Sequence, residues 1–268
     1  MTVAGAFTNP EHERLVARFE QAVGAYPTPE YCRLRRGEFL LQRMLLPEIF
    51  SGRFNRALEI GCGIGYKSLL LAEIAGNVEG IDMSEPYHGF PGNVPAAVYG
   101  QQILEKIGAG RVRLSIAEDF AVYLNERKGA YDLVITDYVL EHVPDPAPLY
   151  RAIFDALVPG GVAVHTIPNT HDAMDTLLRL NLGASLKEYA KAVAGFFLGR
   201  KRRQKLTLNG LLVPITHSEY ISDYREQFDV YKLESYVYPM IEAGFVIERV
   251  VPTREHSYTL AARKPGNK

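Results

Sequence analysis

The sequence predicts an α/β fold: a doubly wound, seven-stranded, mainly parallel sheet with helices on both faces. Three observations lead there. Apolar runs of strand length alternate with segments of helical spacing from about residue 56 onward, interrupted at 170–230. Such alternation places crossover helices over both faces of a parallel sheet. The first run, Ala57-Leu58-Glu59-Ile60, passes directly into Gly61-Cys62-Gly63-Ile64-Gly65, a turn with glycine at every second position. The next strand ends in an acid, Asp82.

Asn9-Pro10-Glu11 is a helix start signal, and Leu15, Phe19, Ala22 and Val23 share one face of a helix over 9–24. Tyr26-Pro27-Thr28-Pro29 breaks it, and a second helix covers 30–46, ending before Pro47. These helices, within 1–54, are expected to pack over the core as a lid. The core, 55–169 and 231–268, has strands expected at 56–61, 77–81, 112–116, 131–136, 161–167, 245–251 and 257–263. Helices are expected between them at 66–75, 94–107, 119–127, 146–157 and 232–243. Residues 170–230 do not continue the alternation. A departure of that length is expected to be a functional insertion, a helical substrate cap, rather than a bare loop. It leaves from the strand edge where ligands sit in open α/β sheets.

The chain has 268 residues, 47% hydrophobic and 23% charged, which suits one globular domain with a large core and an added cap. A net charge of -1 gives no global electrostatic case for nucleic acid. Two cysteines, Cys32 and Cys62, give no disulfide framework and read as reduced thiols of a cytoplasmic protein. The first residues lack a basic region followed by an apolar core, so no signal peptide is expected. No apolar run approaches the ~20 residues needed to span a bilayer.

Glycine tolerates positive φ and lets another group approach the backbone. A strand, a glycine turn and a helix N-terminus together make a nucleotide-binding corner. A carboxylate at the tip of the second strand can accept hydrogen bonds from both ribose hydroxyls. Tyr66 follows Gly65, so the spacing is G-x-G-x-G and not the dinucleotide G-x-G-x-x-G.

These residues resemble the class I S-adenosylmethionine-dependent methyltransferases, in particular the ubiquinone-biosynthesis O-methyltransferases and many small-molecule and sugar methyltransferases. The resemblance is carried by E-I-G-C-G-I-G at 59–65, G-I-D-M-S at 80–84 and A-E-D at 117–119. It continues in Y-D-L-V-I-T-D-Y-V-L-E-H-V-P-D-P at 131–146, L-V-P-G-G-V-A-V-H-T-I-P-N at 157–169 and E-A-G-F-V-I-E-R-V at 242–250. It implies a last strand inserted antiparallel and S-adenosylmethionine as cofactor. It also implies a binding set of Glu59, Gly61, Gly63, Gly65, Asp82, Ala117, Glu118 and Asp137. Glu59 would reach the methionyl end, Asp82 the ribose, and Ala117-Glu118 would lie beside adenine. Many relatives have an aspartate just before that alanine; here Ile116 stands there, so adenine recognition falls to backbone groups and Asp119. Asp137 would line the methionyl pocket, with a solvated strand-end acid as the alternative.

Histidine titrates near neutrality, so His142, in Glu141-His142 after the fourth strand, is a candidate base for an acceptor hydroxyl. Orienting the loop before Pro144 is its alternative role. His217, where the insertion returns to the core, is the second catalytic candidate. His165 lies inside a strand and reads as a core histidine, and Tyr220 and Tyr224 read as packing residues. No metal is assigned: Glu141, His142 and Asp145 are close in sequence, but spacing alone does not make a ligand set.

Arg200-Lys201-Arg202-Arg203-Gln204-Lys205 follows an apolar face of Tyr189, Val193, Phe196, Phe197 and Leu198. Three readings stay open: a solvated helix end, a phosphate site for substrate, or a peripheral contact with the inner membrane surface through 189–205. The function expected is methyl transfer to a small-molecule or lipid-linked acceptor, at a hydroxyl oxygen of a quinone or other aromatic, or of a sugar. A nicotinamide-dependent oxidoreductase shares the glycine turn and Asp82 but not Tyr66. A catalytically silent nucleotide-binding protein on the same fold is opposed by the intact cofactor corner and by Glu141-His142.

Overall fold

The computed structural model describes residues 9–23, 29–85, 94–143, 145–168, 233–254 and 257–266. The expected insertion at 170–230, with His217 and the 189–205 run, lies outside the described residues.

Helix α1 (Pro10–Val23) starts where Asn9 Oδ1 accepts from the Glu11 and His12 amides, at 2.9 and 3.4 Å. That cap satisfies donors the helix itself leaves open. Helix α2 (Pro29–Leu45) follows, then a one-turn α3 (Pro47–Phe50) where no helix was expected. Pro47 is suited to a helix start because its missing N–H is not needed there, and burial of Ile49 and Phe50 anchors the turn.

The sheet contains β1 (Phe54–Ile60), β2 (Ala75–Asp82), β3 (Val112–Ile116), β4 (Tyr131–Asp137), β5 (Leu157–Pro168), β6 (Val246–Arg254) and β7 (Ser257–Arg263). Their order is β3-β2-β1-β4-β5-β7-β6. The first five strands pair in parallel, and β7 runs antiparallel to both β5 and β6. Connecting helices are α4 (Tyr66–Leu71), α5 (Ala96–Ile107), α6 (Phe120–Asn125), α7 (Ala147–Ala156) and α8 (Leu233–Glu242).

Two apolar layers sandwich the sheet, which explains why its strands read as nearly continuous apolar runs. Leu133 and Ile135 pack with Val16, Phe39 and Leu69 on one side, whereas Val134 packs with Tyr150, Ile153 and Met240 on the other. Successive strand residues face opposite ways, so both layers draw on the same strand. Helices α1 and α2 belong to the first layer: α1 packs on α4 and α5, and α2 packs on α4 and β6.

Two boundaries differ most from the expectation. Helix α4 stops at Leu71 rather than 75, because β2 already begins at Ala75, in register with Phe54. Strand β5 begins at Leu157, paired with Tyr131 ahead of a register shift, where a helix end and a loop were expected. The strand order reverses between β1 and β4, and this switch point places a cleft at their carboxyl ends.

Candidate cofactor and acceptor site

The turn after β1 is tied to the end of β2 by backbone bonds. The Gly61 and Cys62 amides both donate to the Ile81 carbonyl, at 2.8 and 3.0 Å. Gly61, Gly63 and Gly65 have φ of 71°, 54° and 73°. A Cβ at Gly61 would overlap Val139, and one at Gly63 would lie 3.3 Å from Tyr31 Oη. The Gly63 amide donates to Asp82 Oδ2 at 2.5 Å, and the Met83 amide donates to Asp82 Oδ1 at 2.8 Å. Burial raises the Asp82 pKa, and these two amides oppose the rise. Each carboxylate oxygen retains a second lone pair for a ligand hydroxyl.

Next to this corner, the Ala117 amide donates to the Asp82 carbonyl at 2.9 Å. Ala117 is buried and Glu118 exposed. Asp119 caps α6, accepting from the Val122 amide at 3.0 Å, so its carboxylate is engaged by the helix.

Beneath the turn lies a buried polar network. Glu59 accepts from Ser68 Oγ at 2.5 Å. Burial raises its pKa, with Ser68, Lys67 and Arg35 pulling the other way. Asp137, at the end of β4, forms an ion pair with Lys67 and accepts from Gln42 Nε2 at 3.0 Å. Gln42 Nε2 also donates to Thr166 Oγ1 at 2.9 Å, and its Oε1 accepts from Lys67 Nζ at 2.7 Å. Burial pushes the Lys67 ammonium down, and the charges of Glu59 and Glu38 oppose this. Asp137 is therefore a buried, paired acid and not a solvated one.

Helix α2 roofs the site. The Arg35 guanidinium lies 5.3 Å from the Tyr31 ring centre and 5.7 Å from that of Tyr138, and pairs with Glu38 at 2.9 Å. Tyr138 has φ of 56°, the one positive value outside glycine among the described residues. That conformation costs about 1–2 kcal/mol. It follows Asp137 directly, and the Tyr138 amide is held by the Thr166 carbonyl at 2.9 Å.

A 3-10 turn, Leu140–His142, follows. Burial pushes the His142 imidazole down to about 4, and a hydrogen bond with the Tyr138 backbone opposes it. Burial pushes Glu141 up to about 8. His142 Nε2 lies 4.0 Å from Glu141 Oε1, so near neutral pH two uncharged groups face each other. His165 is the core histidine expected: it is buried, with Nδ1 2.8 Å from Thr136 Oγ1 and its ring edge-on to Tyr150 at 5.4 Å. A recess lined by Glu38, Leu41, Gln42, Tyr138, Thr166, Ser257 and Thr259 lies between α2 and the ends of β4, β5 and β7.

The site thus gathers Glu59, the three turn glycines, Asp82, Ala117, Asp137 and His142 at one edge of the sheet. Sequence reasoning missed Tyr31, Arg35, Gln42, Lys67 and Thr166. Two signals were present. Lys67 is the only charge in the apolar run Tyr66–Ala72, and Arg35, Glu38 and Gln42 recur at spacings of three and four on one helix face. Among the described residues no three histidine, cysteine or acidic side chains are arranged to hold a metal. No described helix is long and apolar enough to cross a membrane.

The corner fits an adenosine-type cofactor, because the glycines leave room at the backbone and Asp82 presents a carboxylate at the sheet's switch point. Comparison with known proteins gives it a family. A family model described as a methyltransferase domain matches residues 31–230. The chain is 40% identical over 107 residues to a ubiquinone biosynthesis O-methyltransferase of Pseudomonas aeruginosa (strain UCBPP-PA14), covering 40% of this chain and 41% of that protein. The Shewanella halifaxensis (strain HAW-EB4) protein of the same name is 30% identical over 154 residues, covering 54% of this chain and 58% of that protein. The matches therefore span between 41% and 58% of these two relatives' own length.

Among solved structures, a SAM-dependent methyltransferase from Aquifex aeolicus matches with a TM-score of 0.50 at 13% identity, over 83% of this chain and 88% of that one. Haemonchus contortus phosphoethanolamine N-methyltransferase 2 matches with a TM-score of 0.55 at 18% identity, over 93% of this chain and 57% of that one. The fold is that of the class I S-adenosylmethionine-dependent methyltransferases. The chain belongs to the methyltransferase-domain family, and its cofactor is S-adenosylmethionine.

Proposed function

We propose that this chain moves the methyl group of S-adenosylmethionine to a hydroxyl oxygen of a small-molecule acceptor. The observation that carries the reading is the clasp of the Gly63 amide on the Asp82 carboxylate, 2.5 Å long, at the switch point of the sheet. When bound, the cofactor supplies a methyl group activated on a sulfonium. The protein's residues bind, orient and handle the proton. Asp82 accepts from the ribose hydroxyls, and Gly61, Gly63 and Gly65 leave the backbone bare for close approach. Ala117 and Glu118 flank the adenine side, while Glu59 and Asp137 bear on the methionyl end. Alignment of the reacting groups supplies much of the rate.

His142 takes the acceptor's hydroxyl proton in this reading. Its imidazole is uncharged at neutral pH and so can take up a proton. His217 is a second candidate for that role, and 170–230 acts as the substrate cap. The relatives' names support a quinone-type or other aromatic hydroxyl as acceptor. A sugar or lipid-linked hydroxyl is the second reading, favoured by the hydroxyls of Tyr138, Thr166, Ser257 and Thr259 around the recess. Peripheral membrane contact through 189–205 belongs with a lipid-linked acceptor.

Methyl-labelled cofactor, incubated with purified protein and source-cell extract, tests these readings after phase separation. Label in the organic phase supports a quinone or lipid-linked acceptor, and label in the aqueous phase supports a sugar. Cofactor bound with no transfer to either phase points to an acceptor absent from the extract or to a silent binding protein.

A further inference from the structure

We propose that Gln42 is a positioning residue that joins the cofactor half of the site to the acceptor half, so that filling the first orders the second. The inference rests on the methyl-transfer reading above. The side-chain amide has two hydrogens and one carbonyl oxygen, and all three are engaged. It donates to Asp137 Oδ1 at 3.0 Å and to Thr166 Oγ1 at 2.9 Å, and it accepts from Lys67 Nζ at 2.7 Å. Flipping the amide would set its oxygen against the Asp137 carboxylate and its NH2 against the Lys67 ammonium, so one orientation is selected.

Gln42, Lys67, Asp137 and Thr166 are all buried. A buried polar group that loses its partner cannot turn to water, so these four residues shift together or not at all. Their positions give the linkage its direction. Lys67 is two residues beyond Gly65, on the helix that the glycine turn opens. Asp137 ends β4, the strand paired with β1. Thr166 is on β5, lines the recess, and contacts Thr259 of β7 through the two hydroxyls at 3.1 Å. Gln42 itself lines the recess. A ligand that moves the turn or Asp137 therefore acts on the recess wall through one amide, although the partners are 95 and 124 residues from Gln42 in sequence.

Hydrogen exchange of the full chain with and without S-adenosylhomocysteine tests the proposal. In the wild type, the ligand should slow exchange at 61–71 and also at 157–168 and 257–263. Gln42→Met keeps length and apolar packing but removes both donors and the acceptor. It should weaken S-adenosylhomocysteine binding about tenfold and confine the slowing to 61–71. Gln42→Glu, which retains an acceptor for Lys67 but loses both donors, should give the same confinement. If Gln42→Met does not fold, Thr166→Val removes the recess-side bonds, to Gln42 and to Thr259, and leaves those of Gln42 with Asp137 and Lys67 in place. It should abolish the slowing at 257–263 with a smaller loss of affinity than Gln42→Glu shows.

A merely structural pin would lower Tm and leave the pattern of slowing intact, and that result overturns the proposal. So does a wild type that binds the ligand without slowing at 157–168. A wild type that does not bind S-adenosylhomocysteine at all overturns the methyl-transfer reading, and the proposal falls with it.

Discussion

The glycine corner and the α2–β4–β5 side of the site are built by different means. In the corner the donors are main-chain amides, of Gly61, Cys62, Gly63 and Met83, and their acceptors lie at the end of one neighbouring strand. On the other side the bonds run between side chains: Gln42, Lys67, Asp137 and Thr166 come from two helices and two strands. The corner asks of the sequence only that no Cβ intrude and that one acid end the second strand. A side-chain-built site needs every partner present, and removing one strands a buried charge or donor. Damage to the corner should therefore cost binding with the fold intact, and damage to the network should cost the fold first.

The largest effect tests the network. Lys67→Met leaves the Asp137 carboxylate buried without its cation, which costs about 3–5 kcal/mol. Urea denaturation should show this loss directly. A loss below about 1 kcal/mol would mean that Asp137 reaches water in the variant, and the contrast between the halves would fail. Next comes the corner. Asp82→Ala removes a charged acceptor for two hydroxyls and should weaken S-adenosylhomocysteine about a hundredfold. Calorimetry should find this in a protein whose circular dichroism is unchanged. Unweakened binding would displace Asp82 from the ribose role.

This contrast also explains what the sequence revealed. The corner lies within Gly61–Asp82, so strand, turn, helix and acid can be read in one pass, and backbone geometry has a signature in glycine spacing. The sheet was legible for a similar reason: parallel strands buried on both faces are apolar throughout, and the five core helices fell close to their expected positions. Asp137 was proposed for the site from its place at the end of the fourth strand, but its burial was not legible, because its partners Gln42 and Lys67 are brought to it only by tertiary packing. The strained Tyr138 had no signal of any kind, since nothing in the residue type demands positive φ. Asp119 has a local role that its position also signals: an acid just before a helix serves the helix as its cap.

A smaller effect sharpens the comparison at the place where the two halves touch. Gly63 has φ of 54°, and an added Cβ would lie 3.3 Å from the hydroxyl of Tyr31 on α2. Gly63→Ala should cost about 1–2 kcal/mol of stability from backbone conformation alone. Pairing it with Tyr31→Phe separates the roof from the backbone. If the double variant recovers affinity for S-adenosylhomocysteine but not stability, the roof clash governs binding and φ governs folding. If neither recovers, the backbone strain alone accounts for the loss.

The last effect is a pH dependence in the turn after β4. Glu141 is raised from 4.5 to about 8 in the folded chain, so between those values the native state holds a proton that the unfolded state lacks. Stability from this group is full below pH 4.5 and is lost as pH rises through 8. His142 is lowered from 6.5 to about 4, so its contribution has the opposite sign, present above 6.5 and lost as pH falls through 4. The two oppose each other between 4.5 and 6.5, and above 6.5 Glu141 acts alone of the pair. Glu141→Gln, uncharged at every pH, should therefore gain on the wild type from pH 6.5 to 8 by no more than about 1.4 kcal/mol per pH unit. Urea midpoints at the two ends of that window decide it. A constant difference between the proteins would mean that Glu141 is ionised in the native state. The neutral Glu141–His142 pair would then be replaced by a carboxylate beside the imidazole, which would raise the basicity of His142 and make it a stronger base for the hydroxyl proton.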